Sequence, residues 1–129
     1  MIGTLTSIAL GGAFGALSRY GIGLFISTMT TLPVWAATLG VNILGCSMMG
    51  FMAAYLSSHP ALSEQLRPLI MIGFLGGLTT FSSFALDSFA LLDKGHYASL
   101  AFYLISSFAM SLLGFFAIYM LTKSMMGQG

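Results

Sequence analysis

The chain has 129 residues, 57% of them hydrophobic and 5% charged, with a formal net charge of +1 at pH 7. A soluble domain carries about 25% charged residues, so this composition cannot clothe a water-facing surface and excludes an ordinary soluble fold. The near-neutral charge argues against a nucleic-acid partner, which needs a basic stripe, and the lone Cys46 excludes an internal disulfide.

A membrane-crossing helix needs about 20 mostly apolar residues, and the chain offers four such stretches. The first covers about residues 4–26. No Lys or Arg falls within residues 1–10, so the positive region of a cleavable signal is missing and the stretch reads as a true span. Gly11-x-x-x-Gly15 permits close approach of another backbone. Arg19 lies in the same stretch; a central arginine costs about 2.5–3.5 kcal/mol on insertion scales. It either snorkels to the interface or forms a basic vestibule for an anion.

The polar turn that follows stops at Pro33, and the second span covers about residues 34–56. Asn42 sits inside it with two amide donors; it either bridges to a neighbouring helix or serves a ligand. Cys46 lies mid-span among small residues and reads as gap-filling. Ser57, Ser58, His59 and Pro60 end this span, and residues 64–67 read as a short polar connection.

The third span covers about residues 68–92 and carries Gly73-x-x-x-Gly77. Its middle, residues 76–84, reads GGLTTFSSF, and Gly, Thr and Ser are poor helix formers. A break is expected here, which is tolerated at membrane depth only inside protein or beside a wet cavity. The alternative is a continuous helix with a tight glycine contact. Phe81 and Phe84 are three apart and project from one face. Their positive ring edges suit a small anion, or they are packing. Asp87 is expected to partner backbone or hydroxyl groups, because a bare carboxylate would repel an anion.

After a turn at residues 93–96, the fourth span covers about residues 97–122. Ser99, Tyr103, Ser107 and Ser111 recur every fourth residue and so form a stripe. Their hydroxyls either donate to an anion or bond back to their own helix carbonyls. Trp35, Tyr55, Tyr97 and Tyr119 fall near span ends, where interfacial aromatics belong. His59 and His96 sit in turns without a metal-site pattern, and the chain has no nucleophile–base pair or phosphate loop. It is therefore not read as an enzyme.

Four spans place both termini on one side of the membrane. Arg67 and Lys123 fall on that side, and Lys94 and Arg19 toward the other. Two against two gives almost no orientation signal. The expectation is insertion in both directions, with two opposed copies pairing as an antiparallel homodimer; the alternative is that something other than these charges fixes orientation.

Three segments carry a family resemblance: residues 11–20 (GGAFGALSRY), 38–45 (TLGVNILG) and 73–84 (GFLGGLTTFSSF). Together they resemble the Fluc family of fluoride channels, also called CrcB. The resemblance runs over nearly the whole chain. It implies an all-α membrane protein of four helices per subunit, the third broken near its middle, in a dual-topology antiparallel homodimer with two fluoride pores. By that similarity Phe81 and Phe84 line the pore and Asn42 is a pore donor. Thr80, Ser82, Tyr103, Ser107 and Ser111 are candidates for its polar track, and Arg19 matches the basic vestibule residue. Gly76 and Thr79 match backbone carbonyls that hold a structural sodium ion at the dimer interface. The implied role is passive fluoride export across the bacterial cytoplasmic membrane, protecting the cell after the neutral acid enters. Two departures stand out: Ala37 where members often have Gly, and Ala85 where some carry a hydroxyl. Two other readings compete: a small dual-topology proton-coupled exporter, and a non-transporting membrane assembly subunit.

Overall fold

The computed structural model describes residues 1–127. Helix α1 is Ile2–Met29, α2 is Trp35–Ser57 and α3 is Pro60–Leu66. A π-helical stretch, Arg67–Leu75, continues from α3 and runs into the short α4, Gly76–Leu78; α5 is Phe81–Asp93 and α6 is Tyr97–Met125. Among the described residues four helical segments are long and apolar enough to cross a membrane, the third running over Pro60–Asp93. The protein is an all-helical, multi-pass membrane protein. Large apolar side chains face outward, with Phe14 64% and Ile105 69% exposed, as a lipid solvent requires.

The third span differs from its sequence reading at the start. Residues 60–67, read as the end of one span and a polar connection, are helical. Pro60 occupies the first helical turn, where its missing N–H costs nothing. In an α-helix the ring of Pro68 would collide with the carbonyl four residues back. The wider π turns from Arg67 accommodate it.

Glycines weld the helices in pairs. A Cβ on Gly11 would overlap the Leu69 carbonyl, and one on Gly15 the Phe74 carbonyl. On the other side, a Cβ on Gly73 would sit 2.8 Å from the Ile8 carbonyl, and one on Gly77 2.6 Å from the Gly12 carbonyl. The two small-xxx-small motifs therefore face each other within one chain and bring α1 against the first half of the third span. Helices α2 and α6 meet the same way, Gly50 against the Phe115 carbonyl and Gly114 against the Ser47 hydroxyl.

Between α4 and α5 the backbone of Thr79 (φ −78°, ψ 153°) and Thr80 (φ −153°, ψ 127°) is extended. Before these residues the third span packs on α1; after them, as α5, it packs on α6 and α2. One buried cluster, Val41, Leu75 and Leu78, lies under the first half, and a second, Phe84, Leu91 and Tyr103, under the other.

Candidate functional site

Extended backbone inside a membrane leaves N–H and C=O groups that need partners. Asn42 supplies two of them. Its Nδ2 donates to the Thr80 carbonyl at 2.9 Å, and its Oδ1 accepts from the Thr80 N–H at 2.8 Å. The Thr80 hydroxyl caps α5 by accepting from the Ser83 N–H at 3.1 Å. Arg19 Nε donates to the Gly77 carbonyl at 3.2 Å, and its Nη1 reaches Ser83 Oγ at 3.5 Å. The half-buried Arg19 thus turns inward to the third span, and Asn42 bridges helices while keeping one amide hydrogen free.

Beside this point lies a cavity of about 270 Å³, lined among others by Asn42, Thr80, Phe81, Phe84, Ser107 and Ser111. Six of the eight residues expected in a pore are gathered there. Among the described residues, the hydroxyls of Ser107 and Ser111 are buried and have no hydrogen-bond partner. Neighbouring hydroxyls behave differently. Ser106 donates to the Phe102 carbonyl at 2.6 Å, Ser47 to Ile43 at 2.8 Å and Thr122 to Ile118 at 2.7 Å. Bonding back to the helix is the usual outcome for such side chains, and Ser107 and Ser111 depart from it.

The Phe81 and Phe84 rings stand 5.3 Å apart at 43°. Phe108 completes the set, with its ring 5.7 Å from Phe84 at 89° and 6.5 Å from Phe81 at 67°. Sequence reasoning missed Phe108, since it falls outside the four-residue stripe and carries no polar signal. Phe84 is buried, but Phe81 is 71% exposed, so the cavity opens at the surface of the subunit. No charged side chain is among its lining residues.

Two expected members stand apart. Ser82 is exposed, its hydroxyl 3.1 Å from that of Thr80. Tyr103 is fully buried and its hydroxyl donates to Asp87 Oδ2 at 3.2 Å. The Thr38 hydroxyl donates to the same oxygen at 2.7 Å. Asp87 therefore partners two hydroxyls. Its outer side lines a second cavity of about 270 Å³, with Trp35, Lys94 and His96. The Tyr103 ring joins the two regions, at 5.1 Å from Phe84 and 5.2 Å from Trp35. Ser99 is half-buried and lines neither cavity. Cys46, read as gap-filling, in fact lines the Asn42 cavity, because it lies one turn beyond Asn42 on the same helix face.

A family model described as "CrcB-like protein, Camphor Resistance (CrcB)" matches residues 6–119. A protein of Azotobacter vinelandii named fluoride-specific ion channel FluC is 44% identical over 124 residues, covering 95% of this chain and 99% of its own length. A protein of that name from Paracoccus denitrificans is 41% identical over 110 residues, covering 84% of this chain and 86% of its own. Another, from Pseudomonas fluorescens strain SBW25, is 38% identical over 124 residues, with coverage of 95% and 99%.

Proposed function

Since the chain belongs to the CrcB family, a family of channels and not of enzymes, we propose that it is a fluoride-selective channel giving passive export across the bacterial cytoplasmic membrane. The observation that carries this is the pair of buried, unpartnered hydroxyls, Ser107 and Ser111, facing the Phe81–Phe84 rings in one uncharged cavity.

Fluoride is small and tightly hydrated, so a pore must return most of what water gave. Hydroxyl donors and the free Asn42 N–H supply hydrogen bonds, and ring edges supply partial positive charge. A fixed cation in the constriction would bind the ion too well to release it. Arg19, one turn away from the rings through Ser83, raises anion concentration near the entrance without entering the cavity.

Two antiparallel copies would give two pores, and the surface opening beside Phe81 is a reason for pairing. Gly76 and Thr79 fit a sodium ion between copies. The Thr79 hydroxyl is spent on the Leu75 carbonyl, so Thr79 offers its backbone oxygen, which the extended conformation turns out of the helical ladder. Gly76 lies exposed beside it. Two neutral oxygens per chain are an incomplete shell, to which the second copy would add its own; the ion would give those carbonyl dipoles a partner and fasten the pair.

The test is fluoride efflux from liposomes holding the purified protein, read by electrode with chloride in parallel. Fast fluoride and negligible chloride efflux are expected; folded protein passing neither ion would sink the proposal. Cross-linking between single cysteines placed in opposite loops tests antiparallel pairing, which absence of any such product would refute. Replacing sodium by a large organic cation is expected to lower the dimer's Tm, and an unchanged Tm would remove the ion.

A further inference from the structure

Helix α2 presents Thr38, Asn42 and Cys46 at four-residue steps, so the three share one face. Helix α6 presents Tyr103, Ser107 and Ser111 at the same steps. The structure sets these two series opposite each other as rungs. Thr38 and Tyr103 meet at Asp87, both donating to its Oδ2. Asn42 and Ser107 line the cavity, and so do Cys46 and Ser111. The Cys46 rung is the furthest of the three along α2, and its thiol is free and half-buried. Ser107 in the same cavity is only 8% exposed and its hydroxyl has no partner among the described residues, so this space expects a ligand.

We propose that Cys46 is a pore-lining residue, the α2 counterpart of Ser111, and the site at which a thiol-directed reagent entering the pore closes it. The proposal rests on the pore reading above. A lipid-facing thiol stays protonated, because a thiolate in hydrocarbon pays the full cost of desolvation. A thiol that water reaches can react, since the thiolate is the nucleophile. Cys46 is the lone cysteine, so the chemistry has one address.

The probe is methyl methanethiosulfonate, which is small and uncharged. The Cys46 thiol loses its proton to water, and the thiolate attacks the sulfenyl sulfur. A sulfur–sulfur bond forms, the bond to the sulfonyl sulfur breaks, and methanesulfinate leaves. The product is a methyl mixed disulfide that replaces the S–H donor with an apolar group in the path.

Fluoride efflux from liposomes would be measured before and after treatment, with intact mass to count adducts. Cys46→Ser would be treated alongside, each protein normalised to its own untreated rate. The expected result is one adduct, efflux reduced by about tenfold or more, recovery with dithiothreitol, and no response to reagent in Cys46→Ser. Two results would overturn the proposal: a full adduct with efflux within about twofold of the untreated rate, or conducting protein whose thiol reacts only after denaturation. Untreated protein with no fluoride efflux is a different failure; it removes the pore reading, and this inference with it.

Discussion

Replacing Ser107 or Ser111 by alanine is expected to slow fluoride passage while leaving the fold as stable as before or more so. A buried hydroxyl without a partner costs the folded state about 1–3 kcal/mol, and both hydroxyls are in that condition among the described residues. Alanine removes the unpaired group, so the structural penalty disappears with it. For the ion the sign is opposite. A hydrogen bond to a charged partner contributes about 1.5–3 kcal/mol, and each 1.36 kcal/mol is tenfold in rate. Where that bond replaces stripped water at the barrier, each substitution slows efflux by about 10- to 150-fold. The assay pairs fluoride efflux from liposomes with thermal unfolding in detergent. Ser106→Ala is the internal control, because Ser106 already donates to the Phe102 carbonyl and lies outside the cavity. If Ser111→Ala and Ser107→Ala both conduct at the parent rate, these hydroxyls do not serve the ion.

Phe81→Ile and Phe84→Ile keep apolar bulk and remove ring edges, so both are expected to lose most fluoride efflux with Tm retained; full flux in both variants ends the ring-edge role. Arg19→Gln is expected to slow efflux most at low ionic strength. Raising salt from about 0.1 M to 1 M shortens the Debye length from about 10 Å to 3 Å, so parent and variant rates should converge; a salt-independent deficit would mean that Arg19 only holds the Gly77 carbonyl. Gly15→Ala places a methyl 2.8 Å from the Leu78 amide nitrogen and 3.0 Å from the Gly77 carbonyl carbon, both backbone. Helix α1 must back away, at about 1–3 kcal/mol, whereas Gly21→Ala meets nothing within 4 Å and gains up to about 1 kcal/mol of helix propensity. Equal Tm shifts for the two glycines would contradict the close packing.

The spans were legible because lipid imposes a length and a composition, and four stretches met both. Their ends were less so. Residues 60–67 are polar enough to pass for a connection, yet they are helical, opened by Pro60 in the first turn and continuous with the π turns from Arg67. Asp87 was legible in kind, since a carboxylate among hydroxyls finds donors, and Thr38 and Tyr103 provide them. That pairing took Tyr103 out of the cavity that its four-residue spacing had placed it in. Spacing singled out Ser107 over Ser106, but not the state of its hydroxyl. What divides them is which hydroxyl meets its own helix carbonyl and which faces open space, a matter of how α2 and α6 pack. Cys46 failed for the same reason. Its residue type is common in tight cores, and its place one turn beyond Asn42 told of the cavity only once Asn42 was seen to line it. Phe108 had no signal at all.

The two competing readings each leave a feature of the fold unexplained. A proton-coupled exporter needs a membrane carboxylate that is free to exchange a proton for substrate. Asp87 accepts from two hydroxyls through one oxygen, and the cavity it lines, beside Lys94 and His96, is separate from the Asn42–Ser111 cavity, so an exporter would have to work there and leave the unpartnered hydroxyls without a role. An assembly subunit held by its small-xxx-small motifs needs those motifs on an outer face. Gly11 and Gly15 instead meet the backbone around Gly73 and Gly77 of the same chain, where even a methyl group does not fit. Among the described residues, the uncommitted groups that line the Asn42–Ser111 cavity are neutral: two hydroxyls, one amide hydrogen, the Cys46 thiol and a set of ring edges. Such a lining would compensate an anion's lost water at several points without trapping it at any one, which is the balance that conduction requires.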